Sequence, residues 1–222
     1  MAIANIRDRF QILRYDCRGQ GKSDKPESIY SLNDHVDDLD FLLKKCELKN
    51  EDIILIGLSN GGRIVLQYST THKVRATIAL DTYDIVTPLL KAKLNSWHMA
   101  SETGGPMHRF DIATPWIWGE EVFNLKSELI LSYREKAIGT LPHVVRGLIL
   151  GALETDIDLG LIRNKVLFCV GREDLLTPPF NHEKMVKKCL DAELIIVDGG
   201  HASLIERPNI MDKNLIPWIE NL

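Results

Sequence analysis

Asp52-Ile-Ile-Leu-Ile-Gly57-Leu-Ser59-Asn60-Gly61-Gly62 is the stretch from which the fold of this chain can be read. Ile53 to Ile56 form a continuous apolar run, the pattern of a strand buried on both faces. The run enters Gly57-Leu-Ser-Asn-Gly61, a G-x-S-x-G pattern, and a helical segment is expected from Gly61 to about Thr71. A serine at such a strand–turn–helix junction has the sequence form of a nucleophile elbow, whose strained turn lifts the hydroxyl from the sheet edge. Side chains at Gly57 or Gly61 are expected to collide with the neighbouring strand and helix. Ser59 would stand at a helix mouth, where free N–H groups and the positive end of the helix dipole favour a developing oxyanion. The plainer reading is a glycine-rich turn with an incidental serine.

The same rhythm extends outward. Phe10–Tyr15, Val74–Leu80, Lys165–Val170 and Glu193–Val197 read as further strands. Leu32, Val36, Leu39, Leu43 and Cys46 form an apolar stripe at helical spacing, opened by Ser31 and Asp34 in a capping-box arrangement. More helices are expected from Asn181 to Leu190 and from near Asn209 to Leu222, the last interrupted at Pro217. Alternating strands and helices predict an α/β sheet with right-handed crossovers. One connection breaks the pattern: Asp81 to about Asn164 is far longer than the dozen or so residues a crossover needs. It carries Trp97, Trp116, Trp118, Phe110 and Phe123, enough to bury apolar surface. We therefore expect a helical cap over residues 84–159, inserted into a core formed by residues 1–83 and 160–222.

Composition excludes other classes. The 222 residues carry 27 Lys+Arg against 31 Asp+Glu, a net charge of −4, which gives no basic surplus for a nucleic-acid partner. With 45% hydrophobic and 26% charged residues, the chain has the make-up of a folded globular protein. No segment reaches the ~18 consecutive apolar residues of a membrane span. The first ten residues mix charges with apolar positions, unlike a signal peptide, so a cytoplasmic location is expected. Cys17, Cys46, Cys169 and Cys189 are widely spaced, as free thiols would be, with no metal-ligand spacing.

A serine nucleophile needs a base. Of the seven histidines, His201 follows a strand in Ile196-Val-Asp-Gly-Gly-His201, on the same sheet edge as Ser59. His35 reads as solvated, His72 as a helix end and His182 as a cap residue; His98, His108 and His143 fall in the inserted segment. For the carboxylate that orients the imidazole, Asp174 lies just beyond the strand Lys165–Val170, with Glu173 beside it and Asp198 as a further alternative. The order Ser59, Asp174, His201 differs from the orders on the chymotrypsin and subtilisin folds.

Four segments together resemble the α/β-hydrolase superfamily, in its branch of small capped esterases and lactonases similar to 3-oxoadipate enol-lactonase. They are Tyr15-Asp-Cys-Arg-Gly-Gln-Gly-Lys-Ser-Asp24, Gly57-Leu-Ser-Asn-Gly-Gly62, Gly171-Arg-Glu-Asp-Leu-Leu-Thr-Pro-Pro179 and Gly200-His-Ala-Ser-Leu-Ile-Glu-Arg-Pro208. The resemblance implies an α/β-hydrolase fold, a Ser59, Asp174, His201 triad, a cap that sets the substrate, no cofactor and no metal. It also implies an oxyanion hole with the Asn60 N–H as one donor. The family's opening strands and His-Gly oxyanion loop have no counterpart here, so an N-terminally shortened sheet is expected. Met1 to Arg9 read as the tail of a helix. Either Phe10–Tyr15 pairs directly with Ile53–Ile56, or backbone groups there stay unpaired. The function expected is hydrolysis of a small ester, thioester or lactone through an acyl-enzyme; the alternative is an impaired chain serving as a binding module.

Overall fold

The computed structural model describes residues 9–222. Four strands, β1 (Ile54–Leu58), β2 (Ala76–Leu80), β3 (Lys165–Gly171) and β4 (Ala192–Val197), lie side by side in chain order and all run parallel. The register sets Gly57 beside Ala79, Leu80 beside Cys169 and Gly171 beside Val197, so the strands end together at one edge. The helices are α1 (Leu32–Lys45), α2 (Asn60–Thr71), then α3 (Pro88–Ile117), α4 (Glu120–Leu125), α5 (Ser127–Ala137) and α6 (Pro142–Ala152) between β2 and β3. Three more follow: α7 (Pro179–Val186), α8 (Ser203–Glu206) and α9 (Ile216–Glu220).

Burial explains why the central strands read as unbroken apolar runs. Every residue of β2 is buried, as are Val166 to Gly171 of β3, because helices cover both faces. On one face Leu55, Val166 and Phe168 pack with Leu39 and Leu43 of α1, Ile64 of α2 and Met185 of α7. On the other, Ile78, Leu80, Leu167 and Cys169 pack with Ile210, Leu215 and Trp218 near the C-terminus. Thr77, the one polar residue of β2, satisfies its hydroxyl against Ser69 Oγ (2.7 Å) and Asn164 Nδ2 (3.0 Å).

The capping box forms as the spacing predicts: Ser31 Oγ accepts from the Asp34 N–H at 3.1 Å, and the Asp34 carboxylate accepts from the Ser31 N–H at 3.0 Å. α3 is two helical limbs joined at Gly105, whose φ of 74° and ψ of −170° break the helix. Pro106 then opens the second limb, where a missing N–H does no harm. At the C-terminus a π-helical turn over Met211–Leu215 runs into α9, placing Pro217 in that helix's first turn. No described helix is long and apolar enough to cross a membrane.

The structure departs from the sequence reading in several places. Phe10–Tyr15 is not a strand and makes no ladder bonds. Phe10 and Ile12 still pack against the Ile78–Leu167 cluster while Gln11 and Leu13 are exposed. The alternation thus reported which side chains are buried, not whether the backbone is paired. β1 is consequently an edge strand of the described sheet, with Ile56 exposed at 41%. The helix expected over Met1 to Arg9 lies, except for Arg9, outside the described residues. α7 stops at Val186, four residues before Leu190. His35 is buried, since it falls on the inward stripe between Leu32 and Leu39.

The glycine expectation is half corrected. A Cβ on Gly57 would sit 2.1 Å from the Gly61 carbonyl oxygen, so strand and helix approach too closely there for any side chain. At Gly61 a Cβ would meet nothing within 4 Å. The second constrained position is Gly62, where a Cβ would lie 2.7 Å from Thr82 Cβ. Gly57→Ala and Gly62→Ala should each cost about 1–3 kcal/mol in urea unfolding, the usual range for overpacking. Gly61→Ala should be neutral or gain up to about 1 kcal/mol of helix propensity. Equal losses at all three positions would contradict this packing.

Candidate active site

The turn between β1 and α2 holds Ser59 at φ 54° and ψ −116°, a conformation rare for any residue but glycine. Such a backbone costs of order 1–3 kcal/mol and persists only where neighbours enforce it. Here they are identifiable. The Ser59 N–H donates to the Leu80 carbonyl at 2.8 Å, and the Thr82 hydroxyl donates to the Ser59 carbonyl at 2.7 Å. Thr82 is itself fixed by its N–H, which donates to Nε2 of buried His182 at 3.1 Å. Burial pulls the His182 pKa down to about 4, so the ring is neutral and free to accept. Asn60 opens α2, and its N–H belongs to the first turn, which has no intrahelical acceptor.

His201 reaches Ser59 from the far side of the sheet. It lies in the turn after β4, and its Nε2 is 2.8 Å from Ser59 Oγ. Its Nδ1 is 2.9 Å from Asp174 Oδ2. Asp174 sits in the turn after β3, with Oδ1 accepting the Leu176 and Thr177 N–H groups at 2.8 Å and Oδ2 accepting the Thr177 hydroxyl at 2.7 Å. Three sequence-predicted residues from three strand ends, 142 positions apart at the extremes, are therefore joined in one hydrogen-bonded chain.

Burial alone would raise the Asp174 carboxyl, but the charge and hydrogen bond of His201 and the Thr177 donors outweigh it and hold the group below its usual value. For His201 the balance is mirrored. Burial favours the neutral ring, yet the charge and hydrogen bond of Asp174, with Asp81 and Glu206 behind, lift its pKa above the ordinary imidazole value. The alternatives left open by spacing are placed elsewhere. Glu173 accepts the Glu120 N–H at 2.7 Å, and exposed Asp198 lies 3.7 Å from Arg172. His72 stacks on Tyr68, His98 lies 3.9 Å from Glu102, and His143 contacts the Lys25 carbonyl at 3.0 Å.

Two buried carboxyls that fasten the His201 turn escaped the sequence reading. Asp81, just past β2, accepts the Gly171 N–H at 2.8 Å and the Ser203 hydroxyl at 2.6 Å, tying the end of β3 to the turn that carries His201. Burial raises its pKa to about 7. Glu206 Oε1 accepts both the Gly119 N–H (3.2 Å) and the Gly200 N–H (3.1 Å), while the Ala202 N–H donates to the Ile117 carbonyl at 3.1 Å. The His201 turn is thus fastened to the α3–α4 junction. An aspartate closing the apolar run Ala76–Leu80 was a signal for the first; nothing local marked Glu206.

Comparison with known proteins agrees with this fold. A family model for the alpha/beta hydrolase fold matches residues 2–105. A 2-(acetamidomethylene)succinate hydrolase from Mesorhizobium japonicum is 37% identical over 78 residues, 34% of this chain and 27% of that protein's length. A malate-bound thermophilic esterase from Thermogutta terrifontis superposes with a TM-score of 0.89 at 23% identity, covering 99% of this chain and 83% of the other. The enol-lactonase from Burkholderia xenovorans gives a TM-score of 0.89 at 19% identity, with 99% and 84% covered. By family match, parallel topology and the chain order of the elements that carry Ser59, Asp174 and His201, this is an α/β-hydrolase-fold chain similar to esterases and lactonases of that fold.

Proposed function

We propose that the chain is a serine hydrolase that cleaves a small carboxylic ester, thioester or lactone through an acyl-enzyme. The observation that carries this reading is the continuous path from Ser59 Oγ through His201 to Asp174, at 2.8 and 2.9 Å. Ser59 attacks the carbonyl carbon as His201 Nε2 takes its proton; the ester C–O bond then breaks, and the imidazolium returns that proton to the leaving oxygen. Water reverses the sequence to release the acid. Asp174 holds the ring tautomer and stabilises its cation. The Asn60 N–H, at the positive end of α2, is one donor to the oxyanion. The helices of residues 84–159 act as a cap on the core of residues 1–83 and 160–222. Similarity to an esterase and an enol-lactonase supports ester or lactone chemistry.

A fluorophosphonate should add one phosphonyl group to the wild-type chain and none to Ser59→Ala, as read by intact mass. Labelling of both, or of neither when folded, would overturn the assignment. Against p-nitrophenyl esters of increasing acyl length, His201→Ala should lower kcat by about 10⁶-fold.

Activity requires neutral His201, so kcat/KM should rise with pH through the histidine's pKa. Because that pKa is raised by Asp174, the midpoint of the acid limb should lie above 6.5. Asp174→Asn removes the charge, so it should move the midpoint down and lower kcat by about 10⁴-fold. A midpoint unmoved by Asp174→Asn would remove Asp174 from the role given to it.

A further inference from the structure

Two chains of hydrogen bonds that start in one short stretch of sequence both end on Ser59. His182 is the fourth residue of α7 and is fully buried, as is Thr82 just past β2. The Thr82 N–H donates to His182 Nε2 at 3.1 Å, and the Thr82 hydroxyl donates to the Ser59 carbonyl at 2.7 Å. Eight residues before His182, Asp174 contacts His201 Nδ1 at 2.9 Å, and His201 Nε2 lies 2.8 Å from Ser59 Oγ. Between them Thr177 binds both oxygens of Asp174, through its N–H and its hydroxyl. Residues 174–182 therefore grip the serine twice, at its side chain through His201 and at its backbone through Thr82.

The His182 contact is specific in its chemistry. An accepting Nε2 requires the tautomer with its proton on Nδ1, and that nitrogen faces the Pro178 carbonyl at 3.4 Å. The Phe168 ring of β3 meets the imidazole edge-on, with centroids 6.4 Å apart and planes at 76°, and fixes its orientation. With Thr82 and His182 both out of contact with solvent, loss of Nε2 leaves a buried N–H without an acceptor. Thr82 then turns to find another partner, and the bond from its hydroxyl to Ser59 goes with it. That bond is one of the two that hold Ser59 at φ 54°, where a residue other than glycine stays only under constraint.

We propose that His182 is a positioning residue for the nucleophile: acting through Thr82, it holds the strained Ser59 turn, and with it the hydroxyl, at the distance His201 needs. The inference rests on the hydrolase reading above for its effect on rate, though not for its effect on the backbone. His182→Leu removes the acceptor at similar bulk. His182→Gln returns an amide oxygen near the place of Nε2, whereas the shorter His182→Asn puts its amide at the place of Nδ1. On p-nitrophenyl butyrate, His182→Leu should lower kcat by about 10²-fold, the scale of a misplacement of about 1 Å, with KM within about twofold of wild type. His182→Gln should recover at least about tenfold of that loss, and His182→Asn none of it. Thr82→Val, which keeps the N–H and loses the hydroxyl, should match His182→Leu. The double variant should be no slower than either single one, because two residues in series remove one constraint only once.

An unchanged kcat in folded His182→Leu, equal losses in His182→Leu and His182→Gln, or losses that multiply in the double variant would overturn the proposal. Where His182→Leu does not fold, the difference between His182→Gln and His182→Asn decides in the same way. If wild type neither hydrolyses the ester nor takes a fluorophosphonate on Ser59, the hydrolase reading fails on its own. Amide hydrogen exchange then decides the role of His182. Ser59 and Thr82 N–H groups that exchange at least about tenfold faster in His182→Asn than in His182→Gln support it, and equal rates overturn it.

Discussion

The backbone of Ser59 is the constraint on which the arrangement depends. A non-glycine residue at φ 54° tends to relax, and here it is prevented by two hydrogen bonds from the end of β2, to the Leu80 carbonyl and from the Thr82 hydroxyl. Those bonds need α2 and the residues after β2 to approach closely. That approach in turn requires the bare backbone at Gly57 and Gly62. The strain at one residue is thus balanced by parallel pairing and helix–strand packing extending through β2 and into α7, whose His182 fixes Thr82. The same constraint holds the Ser59 hydroxyl 2.8 Å from His201 Nε2.

The second organising feature is the fastening of the His201 turn. Asp174 holds the ring from one side, Asp81 anchors the following residues through Ser203, and Glu206 joins Gly200 to Gly119 at the α3–α4 junction. The Arg207–Glu121 ion pair adds to the same contact. The helices between β2 and β3 are therefore bonded directly to the turn that carries the imidazole. Movement of the α3–α4 junction would be felt at His201 through two backbone N–H groups that share one carboxylate oxygen.

The edge of the sheet shows a different use of the same forces. Phe10 and Ile12 bury their side chains against the C-terminal cluster without pairing their backbone, and β1 keeps its outer ladder positions unpaired among the described residues. Hydrophobic burial depends only on apolar area leaving water, whereas a ladder needs a neighbour about 4.8 Å away in register. One condition is met at this edge and the other is not. Alternating hydrophobicity could not distinguish them.

The sequence by itself determined the parallel α/β alternation, the capping box at Ser31 and the three residues of the candidate site, because each is a local pattern. An apolar run of strand length, a side chain three residues from a helix start, and a serine, an aspartate and a histidine each just past a strand all have their cause within a few positions of the chain. It did not determine the burial of His35, the freedom at Gly61 and constraint at Gly62, the unpaired state of Phe10–Tyr15, or the roles of Asp81 and Glu206. Those were decided by contacts between segments distant in sequence: Gly62 against Thr82, Asp81 against Gly171 and Ser203, Glu206 against Gly119. Steric fit and buried hydrogen bonding depend on what lies across a gap of a few ångströms, and only the folded chain fixes which residue that is.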